Sequence, residues 1–508
     1  MTWPRSEAFW VGLLLLITAT LYLPIRRAGF VYDDRGYVEQ NTGIRHFNPR
    51  AIFTDPRCAA TPESGLAADA YRPMVTLSFA LDYYFWKLNP AGFHLENLLL
   101  GLTNAFMVWL FLRRVLPNPA ARLLALAVFL WHPVQVQSIA WISQRGTLLS
   151  SAGMLIALLA LAPPGPWPRL RLLIGWLAFG VALFCRETTG GVILALALLD
   201  GLHVCREGDP GVPTSRSRFW ARYVGLALLT GGYIAIRSHL LPSWSEFKGH
   251  RNWRSDAALG LMAFAFYLGK LFWPTHLRLH YAYPEPTAWL ISGAVFVALL
   301  FAAVFLGSWS RRPRLAAGLG WIVIFLIPVL QFIPVRAFAA ERYLYFSLIG
   351  FVWIIGLAYI RYPKTRIPLS LAAVLFGIAS ARLIPAWHSE ETLWAWSLRQ
   401  APHDAFAHVA YATCTNDPVL AEAHFRQALM ENPPESIRVS ALVNLSWLAL
   451  QRKQFQNAEA WADQALKIDP DERHALFDLW RAKEGSGDRA GAQRARRRLA
   501  DVSGNQNL

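Results

Sequence analysis

Two adjacent carboxylates follow the first hydrophobic segment of this chain. Asp33 and Asp34 lie in the stretch VYDDRGYVEQN, residues 31–41, shortly after an apolar run at 8–25. Ionisable groups at a membrane boundary are costly to desolvate and usually mark a function. One of the pair could act as a general base, taking a proton from an acceptor hydroxyl as that hydroxyl attacks an activated carbon. The alternative is an exposed loop acid or a helix N-cap.

Polar side chains also stand at the beginning of later apolar segments. Arg72 lies in a Tyr-Arg-Pro sequence before a short apolar segment, and His94 and Glu96 open the next segment in the sequence HLENLL. Such groups either line a cavity or lie in the lipid headgroup zone. The sequence favours the headgroup zone for these residues.

A longer polar stretch, WHPVQVQSIAWISQRGTLL, interrupts two apolar runs between residues 131 and 149. It begins with His132 and includes glutamines, serines and Arg145. The proline after His132 frees a backbone carbonyl, and the polar groups need partners that lipid does not supply. The stretch therefore favours a water-filled cavity.

Acidic and basic residues stand side by side at two further junctions. Arg186-Glu187 separates two apolar runs, and Glu341-Arg342-Tyr343 precedes a later one. Each could form an ion pair that closes a helix junction. Alternatively, the arginines could hold a phosphate, because a guanidinium makes forked hydrogen bonds to phosphate oxygens. The residues alone leave both interpretations open.

The composition indicates what kind of protein positions these residues. The chain has 508 residues, of which 55% are hydrophobic and only 16% charged, as is typical of a polytopic membrane protein. A net charge of +16 could indicate nucleic acid, but the arginines cluster in short loops between apolar runs, as on a cytoplasmic membrane face. We therefore expect membrane lipid, and no nucleic acid, as a partner. The four cysteines form no metal-binding pattern, so no metal site is predicted.

Eleven apolar runs are long enough to cross about 30 Å of hydrocarbon. They lie near residues 8–25, 94–112, 120–141, 147–163, 171–186, 188–204, 221–240, 287–308, 315–335, 343–360 and 367–385. A further run, 257–273, is predicted to be re-entrant or interfacial. Five arginine-rich loops then share the cytoplasmic side, namely 113–122, 169–171, 206–222, 311–314 and 361–366. The N-terminus is then inside, and the loop 26–93, which carries the acidic pair, is outside.

After residue 385 the composition changes to Ala-rich amphipathic helices. The segments HFRQALMENP, at 424–433, and WADQALKIDP, at 461–470, align at a spacing of 37 residues. They are similar to tetratricopeptide repeats, which stack helix pairs into a curved binding surface. A generic Ala-rich bundle is the alternative. We predict an all-α fold with a transmembrane domain at 1–386 and a repeat domain at 387–508.

Taken together, these motifs resemble the GT-C class of membrane glycosyltransferases. Within that class they are similar to the branch that joins the membrane domain to tetratricopeptide repeats, the transmembrane O-mannosyltransferases and their bacterial relatives. Besides the repeats, the residues that carry the resemblance are FVYDD (30–34), YRP (71–73), HLENLLLGLTNA (94–105), WHPVQVQSIAWISQRGTLLS (131–150), CRETTG (185–190) and ERYLY (341–345).

The resemblance implies an inverting enzyme that moves a sugar from a polyprenyl-phosphate carrier to an acceptor hydroxyl, on a protein or a glycan, at the outer face. It makes Asp34 the catalytic base, with Asp33 beside it, and makes Arg145, Arg186 and Arg342 contacts of the carrier phosphate. The full set of predicted substrate-binding residues is Arg72, His94, Glu96, His132, Arg145, Arg186, Glu187, Glu341, Arg342 and Tyr343. Which sugar is used, and whether a divalent cation is needed, stay open.

The chain departs from the family pattern in two places. Arg186-Glu187 stands where relatives often have Lys-Glu, which keeps the charge but alters the donor geometry. The repeat array has only about two and a half units, which puts a long peptide groove in doubt.

Two other function classes compete with the enzyme. One is a non-catalytic membrane scaffold that recruits envelope partners through its repeats, and the other is a lipid-linked sugar transporter, although the sequence shows no convincing inverted repeats. For the enzyme we predict a bacterial inner membrane, with the N-terminus in the cytoplasm. The repeats, with a protein partner on them, would then lie in the periplasm.

Overall fold

The computed structural model describes residues 5–61, 71–162, 168–204, 216–241, 253–331 and 337–503, which form helices and turns without a β-strand. The chain divides into two compact units. The first contains Met1–Leu277 and Tyr283–Ser389, and the second contains Arg278–Ala282 and Glu390–Leu508. Parts of four predictions lie outside the described residues: the ends of the predicted spans at 163 and 332–335, part of the loop 206–222, and residues 62–70 of the loop 26–93.

The described residues of the first unit contain fifteen α-helices. They are α1 (Arg5–Tyr22), α2 (Pro49–Thr54), α3 (Pro73–Trp86), α4 (Pro90–Val115), α5 (Pro119–Trp131), α6 (Val134–Ala140), α7 (Arg145–Leu161), α8 (Pro168–Cys185), α9 (Gly191–Gly201), α10 (Arg216–Leu240), α11 (Trp253–Phe272), α12 (Ala288–Trp309), α13 (Pro313–Leu326), α14 (Leu344–Arg361) and α15 (Arg366–Leu383). Capping residues mark the beginning of α4 and α5. The side chains of Asn89 and Asn118 accept hydrogen bonds from the backbone N–H groups of Ala91 and Ala121, and each helix has a proline at its first position.

Eight helical segments of the described residues are long and apolar enough to cross a membrane, and a ninth is added if a bent pair counts as one span. The chain is therefore a multi-pass integral membrane protein. Seven of the eight overlap predicted spans, and the eighth, Ser255–Phe272, lies in α11. The bent pair is α5 and α6, which meet at 62°. The break falls at His132 and Pro133, because proline cannot donate the backbone hydrogen bond that would continue α5.

The described helices thus give fewer spans than the eleven predicted. The run 188–204 contains only the 11 residues of α9, and the run 315–335 contains the shorter apolar segment Pro313–Val329. Residues 257–272 lie in α11, a single unbroken helix of 20 residues, and the prediction that this run is re-entrant or interfacial is not tested. Because α11 is long enough to cross, the orientation stays a prediction.

One buried carboxylate joins the first, fourth and fifth helices. Glu7 of α1 is 3% exposed, and it accepts hydrogen bonds from Arg122 Nη2 at 2.7 Å, from Arg122 Nε at 2.8 Å and from Trp109 Nε1 at 3.1 Å. Arg122 also donates to the carbonyls of Leu116 and Pro117. Arg122, which the sequence placed in an exposed positive loop, is therefore a buried structural residue.

The described residues of the second unit contain seven helices. They are α16 (Glu390–Gln400), α17 (Ala405–Cys414), α18 (Pro418–Met430), α19 (Glu435–Gln451), α20 (Phe455–Ile468), α21 (Arg473–Ser486) and α22 (Arg489–Val502). Each helix packs on the next, and α19 also packs on α17 and α21. Ala428, Ala458 and Ala465 are fully buried where the helices meet. The assignment of these helices to tetratricopeptide repeats stays a prediction.

The short segment Arg278–Ala282 belongs to the second unit through one histidine. His280 Nδ1 lies 3.1 Å from Asp404 Oδ2, and its ring stacks on Phe406 with 4.4 Å between centroids. Asp404 also caps α17 by accepting the N–H groups of Phe406 and Ala407. The same carboxylate therefore starts a helix and holds this segment.

We expect Glu7→Ala to destabilise the protein by about 3–5 kcal/mol, because it leaves the buried charge of Arg122 without a carboxylate. The double variant Glu7→Leu/Arg122→Met should recover most of that loss, since a buried ion pair replaced by hydrophobic residues is often neutral in stability. Thermal unfolding of the detergent-solubilised variants measures both effects. Equal stability of the single and the double variant would contradict a structural role for this pair.

Candidate functional site

The carboxyl group of Asp34 is fully buried and held from two sides. Its Oδ1 accepts the backbone N–H of Ser143 at 2.7 Å and also the Ser143 hydroxyl, and its Oδ2 accepts the backbone N–H of Val31 at 3.1 Å. Ser143 lies in the single turn Ile142–Gln144 that separates α6 from α7. The structure thus joins the acidic pair to the polar stretch 131–149. Asp33, by contrast, is half-buried.

Burial raises the pKa of Asp34 to about 7, and the negative charge of Asp33 adds to the rise, while the hydrogen bonds from Ser143 and Val31 oppose it. A carboxyl group with a pKa near the working pH can both accept and release a proton. Carboxyl groups perturbed in this way are enriched at catalytic sites. Of the two acids, Asp34 is therefore the better candidate base.

The backbone just before the acidic pair is strained. Tyr32 has a φ of 52°, in the left-handed region that a bulky side chain rarely adopts. Such a conformation costs on the order of 1–3 kcal/mol and persists only where its surroundings enforce it. The Tyr32 ring lies 6.0 Å from the ring of Trp141, which belongs to the same junction as Ser143.

Trp141 connects the region of Asp34 to a group of cations. Its ring stacks on Trp387 with 5.6 Å between centroids, and the Cζ atom of Arg342 lies 5.3 Å from its ring centre. Arg342 Cζ is also 5.0 Å from the ring centre of Tyr343, and Arg186 Cζ is 5.6 Å from that same ring. Two guanidinium groups therefore converge on Tyr343, and contacts lead from them to Asp34.

Both arginines are positioned by polar residues of the stretch 131–149. Gln137 Oε1 accepts the backbone N–H of Arg342 at 2.8 Å, and Arg186 donates to the hydroxyl of Thr147. Arg186 is only 9% exposed and lies close enough to Arg342 for the two charges to repel each other. An anion placed between them would relieve this repulsion, and guanidinium groups suit phosphate oxygens well.

The ion pair at the 186–187 junction involves a distant partner. Glu187 Oε1 lies 3.0 Å from Nη2 of Arg72, which caps the N-terminus of α3. Although burial opposes ionisation, Arg72 lowers the pKa of Glu187 to about 2. The pair joins α3 to the turn Glu187–Gly190, and among the described residues no carboxylate forms an ion pair with Arg186.

Arg145 is satisfied inside the protein. Its guanidinium is 1% exposed, and Nη2 lies 2.8 Å from Asp82 Oδ2 and 3.0 Å from the carbonyl of Phe93. Nη1 lies 3.4 Å from Glu96 Oε2, and Nε donates to Asn97. A carrier phosphate would have to displace these partners, so the structure favours a structural role for Arg145 and for Glu96.

Two of the predicted site residues bond to the backbone of the protein. His94 Nε2 lies 3.4 Å from the carbonyl of Gly29, on the segment that leads to Asp34. His132 Nε2 lies 3.0 Å from the carbonyl of Leu271, at the end of α11. Both rings are fully buried, as Asp34 is, and each already contacts a backbone carbonyl of the protein.

Glu341 and much of the polar stretch 131–149 are also buried. Glu341 is 4% exposed, and in the stretch Gln135 and Ser138 are 1% and 0% exposed. Neither amide atom of Gln135 has a hydrogen-bond partner in the part of the chain that the structure describes. The water-filled cavity stays a prediction that such polar atoms favour.

Sequence reasoning missed three residues that shape the site. Asp82 was overlooked although it is the only Asp, Glu, Lys or Arg in the apolar segment 74–85, which is the usual sign of a buried partner. Trp141 and Tyr32 gave no signal, because aromatic residues are common throughout this chain. Within the described ranges, no group of three or more His, Cys, Asp or Glu residues is arranged to hold a metal ion.

Known proteins are similar in sequence to this chain. Protein O-mannosyl-transferase Tmtc1 of Drosophila melanogaster is 34% identical over 239 residues, which cover 44% of this chain and 27% of that protein. Protein O-mannosyl-transferase TMTC4 of Mus musculus is 24% identical over 473 residues, covering 79% of this chain and 63% of that protein. These relatives confirm the resemblance drawn from the motifs. The chain spans less than two thirds of the length of either relative.

Comparisons of other kinds add little. No protein-family model matches the chain. The crystal structure of ArnT from Cupriavidus metallidurans bound to undecaprenyl phosphate aligns with 95% of this chain and 78% of that one, at 14% identity and a TM-score of 0.43. A similarity at that level carries no conclusion about this protein.

We expect the carboxyl group of Asp34 to titrate near pH 7 and the midpoint to rise in Ser143→Ala, because that variant removes a hydrogen bond that favours the ionised form. Asp33→Asn should lower the midpoint, since it removes a neighbouring negative charge. Infrared difference spectroscopy of the carboxyl band measures these shifts, with Asp34→Asn assigning the band. Equal midpoints in all three proteins would contradict the described surroundings of Asp34.

Proposed function

We propose that this chain is a membrane glycosyltransferase that moves a sugar from a polyprenyl-phosphate carrier to a hydroxyl group of a protein acceptor. The observation that carries the proposal is the arrangement of one buried carboxyl group, Asp34, and two converging guanidinium groups, Arg186 and Arg342, linked through the junction that carries Trp141 and Ser143. A base and a cationic site for a leaving phosphate are the two parts that this reaction needs. The names of the relatives support transfer of a sugar to a protein.

In this mechanism Asp34 removes the proton of the acceptor hydroxyl while the oxygen of that hydroxyl attacks the anomeric carbon of the sugar. The bond between that carbon and the carrier phosphate oxygen breaks, and the phosphate leaves with the bonding electrons. Arg186 and Arg342 stabilise the negative charge that develops on the phosphate, as preorganised cations do in a site shielded from water. Because attack and departure occur on opposite faces, the configuration of the sugar is inverted.

The remaining predicted residues take supporting roles in the proposal. The Tyr343 ring contacts both arginines, and Arg72 with Glu187 fixes the turn that carries Arg186. We assign Arg145 to the framework rather than to the phosphate, because its guanidinium already contacts Asp82, Phe93 and Asn97. His94, Glu96 and His132 are assigned to the framework because each already has a hydrogen-bond partner within the protein, and Glu341 stays a predicted substrate-binding residue.

The proposal also includes a location. The site is assigned to the outer side of a bacterial inner membrane, where a lipid-linked donor and a secreted acceptor would meet, with the repeat helices on that side. The arginine-rich loops support this orientation. A membrane scaffold without catalysis is the competing function, and the variants below separate the two.

We expect Asp34→Asn to insert and fold normally but to lose transfer by about 10²-fold or more, the range for a general base. Transfer is measured with purified protein and a panel of labelled polyprenyl-phosphate sugars. Glu39→Gln is the matched control, because Glu39 lies in the same stretch and its side chain is 45% exposed. Full transfer by Asp34→Asn would remove the proposed base and favour the scaffold.

Arg186→Ala should raise the apparent KM for the lipid-linked donor by about 10- to 100-fold, the effect of losing a charged hydrogen bond, with a smaller effect on the acceptor. Arg342→Ala should act in the same way, and Arg57→Ala, whose side chain is 84% exposed, should not. Steady-state kinetics with donor and acceptor varied in turn separate the two effects. An unchanged donor KM in both variants would count against the phosphate site.

A further inference from the structure

A cavity of about 550 Å³ lies within the second unit, between α19 and the beginning of α21. This volume is within the range of ligand sites in proteins. The side chains that give it chemical character are Asn444, Trp447, Glu472, His474, Phe477 and Asp478. None of them takes part in the reaction proposed above, and the cavity lies wholly inside this unit.

Asp478 is the most unusual residue of this cavity. It is 2% exposed, and its Oδ2 has no hydrogen-bond partner among the residues that the structure describes. Burial raises the pKa of its carboxyl group to about 7, although a hydrogen bond with Ser446 opposes the rise. A buried carboxylate oxygen without a donor is costly and calls for an explanation in a folded protein. A ligand that brings a donor would remove that cost.

The facing helix α19 places an amide in the same cavity. Asn444 lies on α19 and Asp478 on α21, and both line the cavity. The Asn444 side chain donates to the carbonyl of Ser440 at 2.8 Å, which uses one of its two N–H groups. Its amide is therefore still able to bond to another group. A carboxamide offers both a donor and an acceptor, as a peptide backbone requires.

The charge and the aromatic walls define the side chain that would fit. Glu472 and Asp478 supply two carboxyl groups, and neither lysine nor arginine is among the described residues that line the cavity, in a chain whose net charge is +16. Trp447, which is 46% exposed, and Phe477 supply aromatic rings. A cation between carboxylates and ring faces gains from both.

We propose that this cavity binds a segment of a polypeptide partner through a lysine or arginine side chain seated between Asp478, Glu472 and the rings of Trp447 and Phe477. The backbone of that segment bonds to Asn444. The ligand is a basic peptide rather than an acidic one, because two carboxyl groups would repel an anion. This site is independent of the glycosyl transfer proposed above.

The test uses the full-length protein in detergent or nanodiscs and fluorescence anisotropy of a labelled peptide, Gly-Ser-Ala-Arg-Ala-Lys-Ala-Ser-Gly. We expect saturable binding that weakens at least tenfold in Asp478→Asn and in Trp447→Ala. Asp463→Asn is the matched control, because Asp463 is exposed on α20 and does not line the cavity. Trp447 is exposed enough for its replacement to leave folding intact, and thermal unfolding checks both variants.

Two further probes decide between this ligand and others. The same peptide with glutamine or glutamate in place of its basic residues should bind at least tenfold more weakly, and ethylguanidinium alone should compete only at far higher concentration. Equal binding of the neutral peptide, equal competition by ethylguanidinium, or equal binding by Asp478→Asn and Asp463→Asn would overturn the proposal. Transfer activity of Asp478→Asn is measured in parallel. Because this site is independent of glycosyl transfer, a loss of peptide binding in that variant does not bear on the proposed enzyme.

Discussion

The first unit depends on how the buried charge of Arg145 is satisfied. A guanidinium that is 1% exposed is stable only where protein carboxylates and carbonyls replace the water it has lost. Asp82 of α3 and Glu96 of α4 do so for a residue that begins α7, so this one charge holds three helices together. Ser143 precedes Arg145 by two residues, and the turn that donates to Asp34 is therefore fixed by the same network. Arg145 therefore needs no contact with substrate to determine where Asp34, the proposed base, lies.

The sequence revealed where polar residues interrupt apolar runs, and it could do so because lipid tolerates few polar groups. Four such interruptions supply the parts of the candidate site, each of them at a helix junction. Their partners could not be predicted, since pairing depends on tertiary contacts rather than on adjacency. Arg186 and Glu187 are neighbours in sequence, yet Glu187 pairs with Arg72, 115 residues away. Arg145 matched a family motif, and only the contact between α3 and α7 shows that Asp82 already pairs with it.

The all-helical, multi-pass architecture could also be predicted, because apolar runs of about 20 residues have few other uses. The number of membrane spans could not be predicted. Apolar content does not distinguish residues in a helix from residues in a turn, and the run 188–204 holds a helix of only 11 residues. In the second unit Ala-rich helices could be predicted from the composition, whereas the cavity beside Asp478 depends on how α19 and α21 face each other, which no periodicity of either helix specifies.

The contact between Arg186 and Tyr343 constrains the topology of the chain. These residues lie at the ends of two junctions that meet within 5.6 Å, and five described helices, α9 to α13, run between the junctions. A chain that returns to its starting side of a membrane has crossed it an even number of times, so the five cannot all cross. With 11 residues, α9 is about 17 Å long, roughly half of the hydrocarbon thickness. Of the five helices, α9 is therefore the one whose length fits a full crossing least.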